Sequence, residues 1–143
     1  MHGGHPRDDR VQRVLVYADG SDASMRAVDR AIELAMAGAK ISALVVIPPS
    51  LDRAAVSQFE IEEHDLDRRF AEEVVARVAE RVEAAGETVA PLIVQGPIVQ
   101  TIVEHGRSAD FDVVLVGRKP GPRYVTDLTD TLRRKPGVPL EIV

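Results

Sequence analysis

Three short segments of this chain are apolar almost from end to end: RVLVYA at 13–18, KISALVVI at 40–47 and DVVLVG at 112–117. A strand covered on one face alternates apolar with polar residues. A run rich in Val, Leu and Ile throughout belongs to a strand covered on both, and the usual home of such strands is a parallel sheet with helices above and below. The segments between the runs supply the helices. After Asp19, Gly20, Ser21 and Asp22, a helix is expected from Ser24, because Val28, Ala31, Ile32 and Ala35 fall on one helical face and Gly38 closes the pattern.

The alternation continues. Past Pro48 and Pro49 a loop is expected over 50–58, then a long helix with Phe70, Val74, Val78 and Val82 as its apolar stripe. Arg69, Glu72, Glu73, Arg77, Glu80 and Glu83 cover its other face, and Gly86 ends it. Residues 88–94 read as a third strand, 98–107 as a helix, 118–125 as a basic loop, 126–134 as a short helix and 138–143 (VPLEIV) as a fifth strand. Strand and helix alternating at these lengths imply right-handed crossovers and a three-layer α/β sandwich. The first ten residues, MHGGHPRDDR, have no apolar period and are expected to be a disordered lead to one domain over 11–143.

Composition narrows the chemistry. The chain has 143 residues, room for one domain, and its core must be aliphatic, since 45% of residues are hydrophobic and only 3% aromatic. With no cysteine, disulfides, thiolate nucleophiles and Cys-ligated zinc are excluded. No run approaches the roughly 18 apolar residues of a membrane helix and the first residues lack a signal-peptide core, so the expectation is a cytoplasmic protein with no membrane insertion. A net charge of -5 argues against general nucleic-acid binding. The charge is uneven, however: between Arg118 and Lys135 stand six basic residues against two acidic ones.

In doubly wound sheets, ligands bind beyond the carboxyl ends of the strands where strand order reverses. The residues there are Asp19, Gly20 and Ser21 after the first strand, Val46 to Pro49 after the second, and Gly117, Arg118 and Lys119 after the fourth. Singly, each has a structural explanation in caps, turns and solvated charge. Together, a carboxylate suits ribose hydroxyls, main-chain groups suit a base edge and a basic loop suits phosphates. Other chemistries lack their residues. A dinucleotide fingerprint needs three glycines where 19–24 has one, a receiver domain needs an Asp where Gln95, Gly96 and Pro97 stand, and the Gly-Lys-Ser/Thr of a P-loop is absent. Ser21 has no Gly-x-Ser-x-Gly context, His64 and His105 read as surface histidines, and His2 and His5 make no metal site, so no metal centre and no catalytic residues are expected. The acidic run Glu62, Glu63, Asp65 and Asp67 reads as a solvated stretch ahead of the long helix.

The segments VLVYADGSDASMRAVDRAIELA, GPIVQTIVEHGRSADFDVVLVG and LRRKPGVPLEIV, in this order, resemble a universal stress protein domain over nearly all of 13–143. The resemblance implies an adenine nucleotide alpha hydrolase-like fold, with a five-stranded parallel sheet in order 3-2-1-4-5. It also implies a homodimer paired through the last strand, from Val138 to Val143. Some members bind ATP through an Asp after strand one, a main-chain contact after strand two, and a phosphate loop of pattern Gly, two residues, Gly, nine residues, Gly, Ser or Thr. Carried over by position, the contacts are Ala18, Asp19, Val46, Gly117, Arg118, Lys119 and Thr126, with ATP or AMP as ligand and Mg accompanying ATP. The pattern is broken at Pro120 and Val125, where glycine is expected, so charge from Arg118, Lys119 and Arg123 must replace backbone donors. The expectation is a non-catalytic regulatory domain binding an adenine nucleotide. The alternative is a nucleotide-free dimerising or regulatory module, including one cut from a larger protein such as a transporter.

Overall fold

The computed structural model describes residues 11–49, 60–119 and 128–143, of which 60–67 as backbone. Within them the order is β1 (Arg13–Tyr17), α1 (Asp22–Met36), β2 (Lys40–Ile47), α2 (Glu60–Ala84), β3 (Val89–Gln95), α3 (Ile98–Arg107), β4 (Val113–Val116), α4 (Leu128–Arg133) and β5 (Leu140–Ile142). Every neighbouring pair of strands is parallel and the sheet order is β3-β2-β1-β4-β5, as the resemblance implies.

The apolar runs explain the layering. In β1, Val14 and Val16 point into one core with Val28, Leu34, Val74 and Val78 of α1 and α2. Leu15 and Tyr17 point into the other, with Ile102 and Val103 of α3 and Leu132 of α4. Both faces of the central strand are therefore buried, each fully buried Val or Leu contributing about 1.5–3 kcal/mol of transfer free energy. The outer strand β3 differs: it is only partly buried, and it carries Pro91, whose missing N–H is tolerated because β3 pairs on one side alone.

Three expectations are corrected. Phe70 is not in the stripe of α2: it is 57% exposed, and Ala71 is buried with Val74, Val78 and Val82 instead. A strict four-residue spacing drifts by about 40° per step around a helix, so Phe70 has rotated off the face that its later partners define. The acidic run of Glu62, Glu63, Asp65 and Asp67 lies within α2, not ahead of it. Helix α1 begins at Asp22, because Ser21 is the N-cap, its Oγ accepting from Ser24 N–H at 3.1 Å. The lead 1–10, the loop 50–58 and Pro120, Arg123, Val125 and Thr126 lie outside the described residues.

Candidate functional site

Strand order reverses between β1 and β4, whose following helices pack on opposite faces, so the crevice of this fold opens over their carboxyl ends. Asp19 stands there, immediately after β1. Its Oδ1 accepts from Ser21 N–H at 3.0 Å and from Ser21 Oγ at 2.5 Å, and its Oδ2 pairs with the Lys119 ammonium. Burial pushes the Asp19 carboxyl pKa up, and the hydrogen bonds from Lys119 and Ser21 outweigh it, holding the group below the ordinary carboxylate range. Asp19 is therefore an anion at neutral pH. The hydroxyl protons of Ser21 and Ser24 are committed to Asp19 Oδ1 and to the Ser21 carbonyl, so both serines build the turn rather than a nucleophile.

The turn is held from outside as well. Gly20 has φ +83°, a left-handed conformation that a side chain resists, and a Cβ there would meet Val74 Cγ2 at 3.3 Å. Arg77 Nη1 of α2 donates to the Gly20 carbonyl at 3.2 Å.

Val46 lies inside β2, its side chain buried in the core that also holds Leu44 and Tyr17. Its main chain is the relevant part. Ala18 N–H donates to the Leu44 carbonyl, and Gly96 N–H to that of Ile47. Successive residues of a strand serve opposite neighbours, so Val46 aims its N–H and carbonyl to the β1 side, past Leu44, where the β1 register ends. Ala18 is fully buried and its N–H is used on Leu44, which closes β1.

On the β4 side, Gly117 is packed against α1: a Cβ would fall 1.9 Å from the Ala23 carbonyl oxygen. Packing alone demands this glycine. The Arg118 N–H donates to the Val143 carbonyl at 2.9 Å, and the Arg118 carbonyl accepts from Arg26 Nη2 at 2.5 Å. Residues 117–119 are thus fixed in their main chain, while the side chains of Arg118 and Lys119 reach solvent.

The structure brings together Ala18, Asp19, Val46, Gly117, Arg118 and Lys119, whereas Thr126 is outside the described residues. Sequence reading gave no ligand-site role to Ser21, and none to Arg26 or Arg77. The Asp-x-Ser spacing announces the first as a local turn, but nothing in sequence announces Arg26 meeting a carbonyl 92 residues away. His105 Nδ1, 2.8 Å from the Thr101 carbonyl, must donate to it, which stabilises α3 and adds nothing to the crevice. Among the described residues no group of three or more His, Asp or Glu is placed to hold a metal, and no helix is long and apolar enough to cross a membrane.

The universal stress protein family model matches residues 10–133. No curated protein matches the sequence. Among solved structures, the chain is similar to universal stress protein UspA from Lactobacillus plantarum, with TM-score 0.77 and 18% identity, covering 92% of this chain and 97% of that one. It is similar to a universal stress protein in complex with cAMP, with TM-score 0.69 and 25% identity, covering 93% of this chain and 97% of that one. A universal stress protein family protein from Arabidopsis thaliana with AMP bound gives TM-score 0.68 and 13% identity over 92% of this chain and 90% of that one. With the family model matched over most of the chain and the fold shared with solved members, this chain belongs to the universal stress protein family.

Proposed function

We propose that this protein is a non-catalytic regulatory domain over 11–143 that binds an adenine nucleotide, ATP or AMP, in the crevice over β1 and β4, and works in the cytoplasm as a homodimer joined through β5. The observation that carries the reading is the ionised Asp19 at the strand-order reversal, beside the Val46 main chain on one flank and the cationic Arg118 and Lys119 on the other. An anion that accepts from hydroxyls suits a ribose, a strand edge suits the rim of a base, and two cations suit phosphate. Similar structures carrying cAMP and AMP support the class of ligand. Mg would accompany ATP through its phosphates. With Pro120 and Val125 in place of glycines, affinity for phosphate rests on charge more than on backbone N–H groups.

The dimer reading rests on β5, a terminal strand of the sheet with one neighbour, whose open edge a second copy would cover. Mass spectrometry of small molecules released on denaturing the purified protein tests the ligand. A stoichiometric adenine nucleotide supports the reading. If none is released and calorimetry at millimolar ATP, AMP and cyclic AMP gives no heat, the nucleotide-free dimerising module replaces it.

A further inference from the structure

We infer that Lys119 is a specificity-determining latch on Asp19: it pairs with the carboxylate and transfers to phosphate when a phosphorylated nucleoside enters, so the site discriminates against the unphosphorylated nucleoside. The inference rests on the adenine-nucleotide reading above.

Three donors converge on the Asp19 carboxylate among the described residues, and they differ in how easily they yield. The two from Ser21 belong to the cap of α1, since Ser21 Oγ also accepts from Ser24 N–H. Displacing them would unmake the helix start. Lys119 is the third, and its ammonium sits on a flexible stem whose side chain is 52% exposed, against 19% for Asp19. Its main chain cannot follow a ligand: Gly117 is jammed on Ala23, and both main-chain groups of Arg118 are engaged by Val143 and Arg26. Only the side chain is free to swing.

A ribose diol that donates to Asp19 therefore competes with the ammonium. Displacing the ammonium gives up its ion pair with the part-buried Asp19 and leaves the lysine to solvent, a modest cost. A ligand bearing phosphate gives Lys119 a new anion as it takes the old one, whereas a bare nucleoside does not. Removing Lys119 must then act in opposite directions on the two ligands.

Calorimetry of wild type, Lys119→Met and Lys119→Arg with adenosine, AMP and ATP reads this out. In Lys119→Met, adenosine is expected to bind about two- to fivefold more tightly, because it no longer displaces an ion. ATP is expected to bind about tenfold or more weakly. Lys119→Arg keeps the wild-type order. A ligand-free measurement accompanies it: the Asp19 carboxyl titration followed by NMR should move upward in Lys119→Met. If ATP binds wild type but adenosine and ATP weaken together in Lys119→Met, or if the Asp19 titration does not move, the latch is wrong and the nucleotide reading stands. If wild type binds none of the three, the nucleotide reading falls and takes the latch with it.

Discussion

Arg30 Nε of α1 donates to Glu141 Oε2 of β5 at 2.7 Å, tying the first helix to the last strand across 111 residues of sequence. Glu141 is the charged residue in the closing VPLEIV, and as a sequence it invites the idea of like charges facing each other at a two-fold axis. The structure gives it a partner within its own chain. Leu140 packs against the core that holds Ile102 and Leu132 while Val143 packs against the one that holds Val28 and Leu34, so Glu141 reaches the α1 layer rather than the open edge of β5.

That placement changes what a substitution should do. Light scattering at micromolar concentration should give about twice the 15.6 kDa of one chain, and Glu141→Val should leave that mass unchanged. Both partners are part-exposed, so solvent screens the pair and its loss should cost no more than about 1 kcal/mol of stability. A large stability loss, or a monomer from this substitution, would contradict the assignment of Glu141 to the α1 layer.

The edge itself gives a sharper test. Val114 N–H donates to the Pro139 carbonyl and Val143 N–H to that of Val116, so residues 139, 141 and 143 serve β4 and Ile142 aims its N–H outward. Ile142→Pro removes that outward donor and no bond to β4. The expected product is a folded monomer by circular dichroism and scattering. A folded dimer with proline at 142 would remove β5 from the interface.

Gly117→Ala should be among the most damaging small substitutions in the chain. A Cβ placed 1.9 Å from the Ala23 carbonyl forces β4 and α1 apart, and the cost should exceed the about 1–3 kcal/mol of ordinary overpacking. Urea denaturation reads it directly. A loss below about 1 kcal/mol would mean that the two elements separate easily. The result also bears on interpretation, since a glycine needed for packing is no evidence of a phosphate loop.

What sequence could and could not show follows from the range of the interactions. The strands were legible because Val14, Leu15, Val16 and Tyr17 are all buried, which leaves an unbroken apolar run to read. The start of α1 was nearly legible, being set by Ser21 and Ser24 three residues apart. Phe70 misled because hydrophobicity at four-residue spacing does not say where a helix face has turned. Candidate site positions followed from the ends of strands one, two and four, but the pairing of Lys119 with Asp19, the grip of Arg26 on the Arg118 carbonyl and the partner of Glu141 are long-range contacts with no local pattern.

Acid should destabilise the fold through two carboxylates. Asp112 accepts from Gln12 N–H at 2.8 Å and Arg13 N–H at 2.9 Å, bonds that hold its pKa below the usual range. Asp19 is held low as well, the bonds from Lys119 and Ser21 outweighing burial. A carboxyl with a lower pKa folded than unfolded contributes stability fully above its unfolded value, about pH 4, and loses it as pH falls through the folded value. Thermal melts should therefore be flat near neutrality and drop below about pH 4, and Asp112→Asn should be less stable at pH 7 with a shallower drop. Identical pH profiles for the two proteins would remove Asp112 from the account.

Nucleotide affinity should divide between Asp19 and the cations in a way that salt reveals. If Asp19 takes ribose hydroxyls, Asp19→Ala should weaken ATP and AMP alike, by about 10- to 150-fold for the loss of a charge-assisted hydrogen bond, and cyclic AMP less, since only its 2′ hydroxyl is free to donate. On the proposed reading Arg118 meets phosphate instead, so the second informative variant is Arg118→Ala, at a residue whose main chain is fixed by Val143 and Arg26. It should weaken ATP more than AMP. If the proposed site, with Pro120 and Val125 in place of glycines, holds phosphate by charge, raising salt from 0.05 to about 0.5 M should weaken ATP clearly more than AMP. Calorimetry of the three proteins at the two salt concentrations gives all of these numbers. Salt-independent ATP binding that survives Arg118→Ala would show that backbone donors, not charge, hold the phosphates.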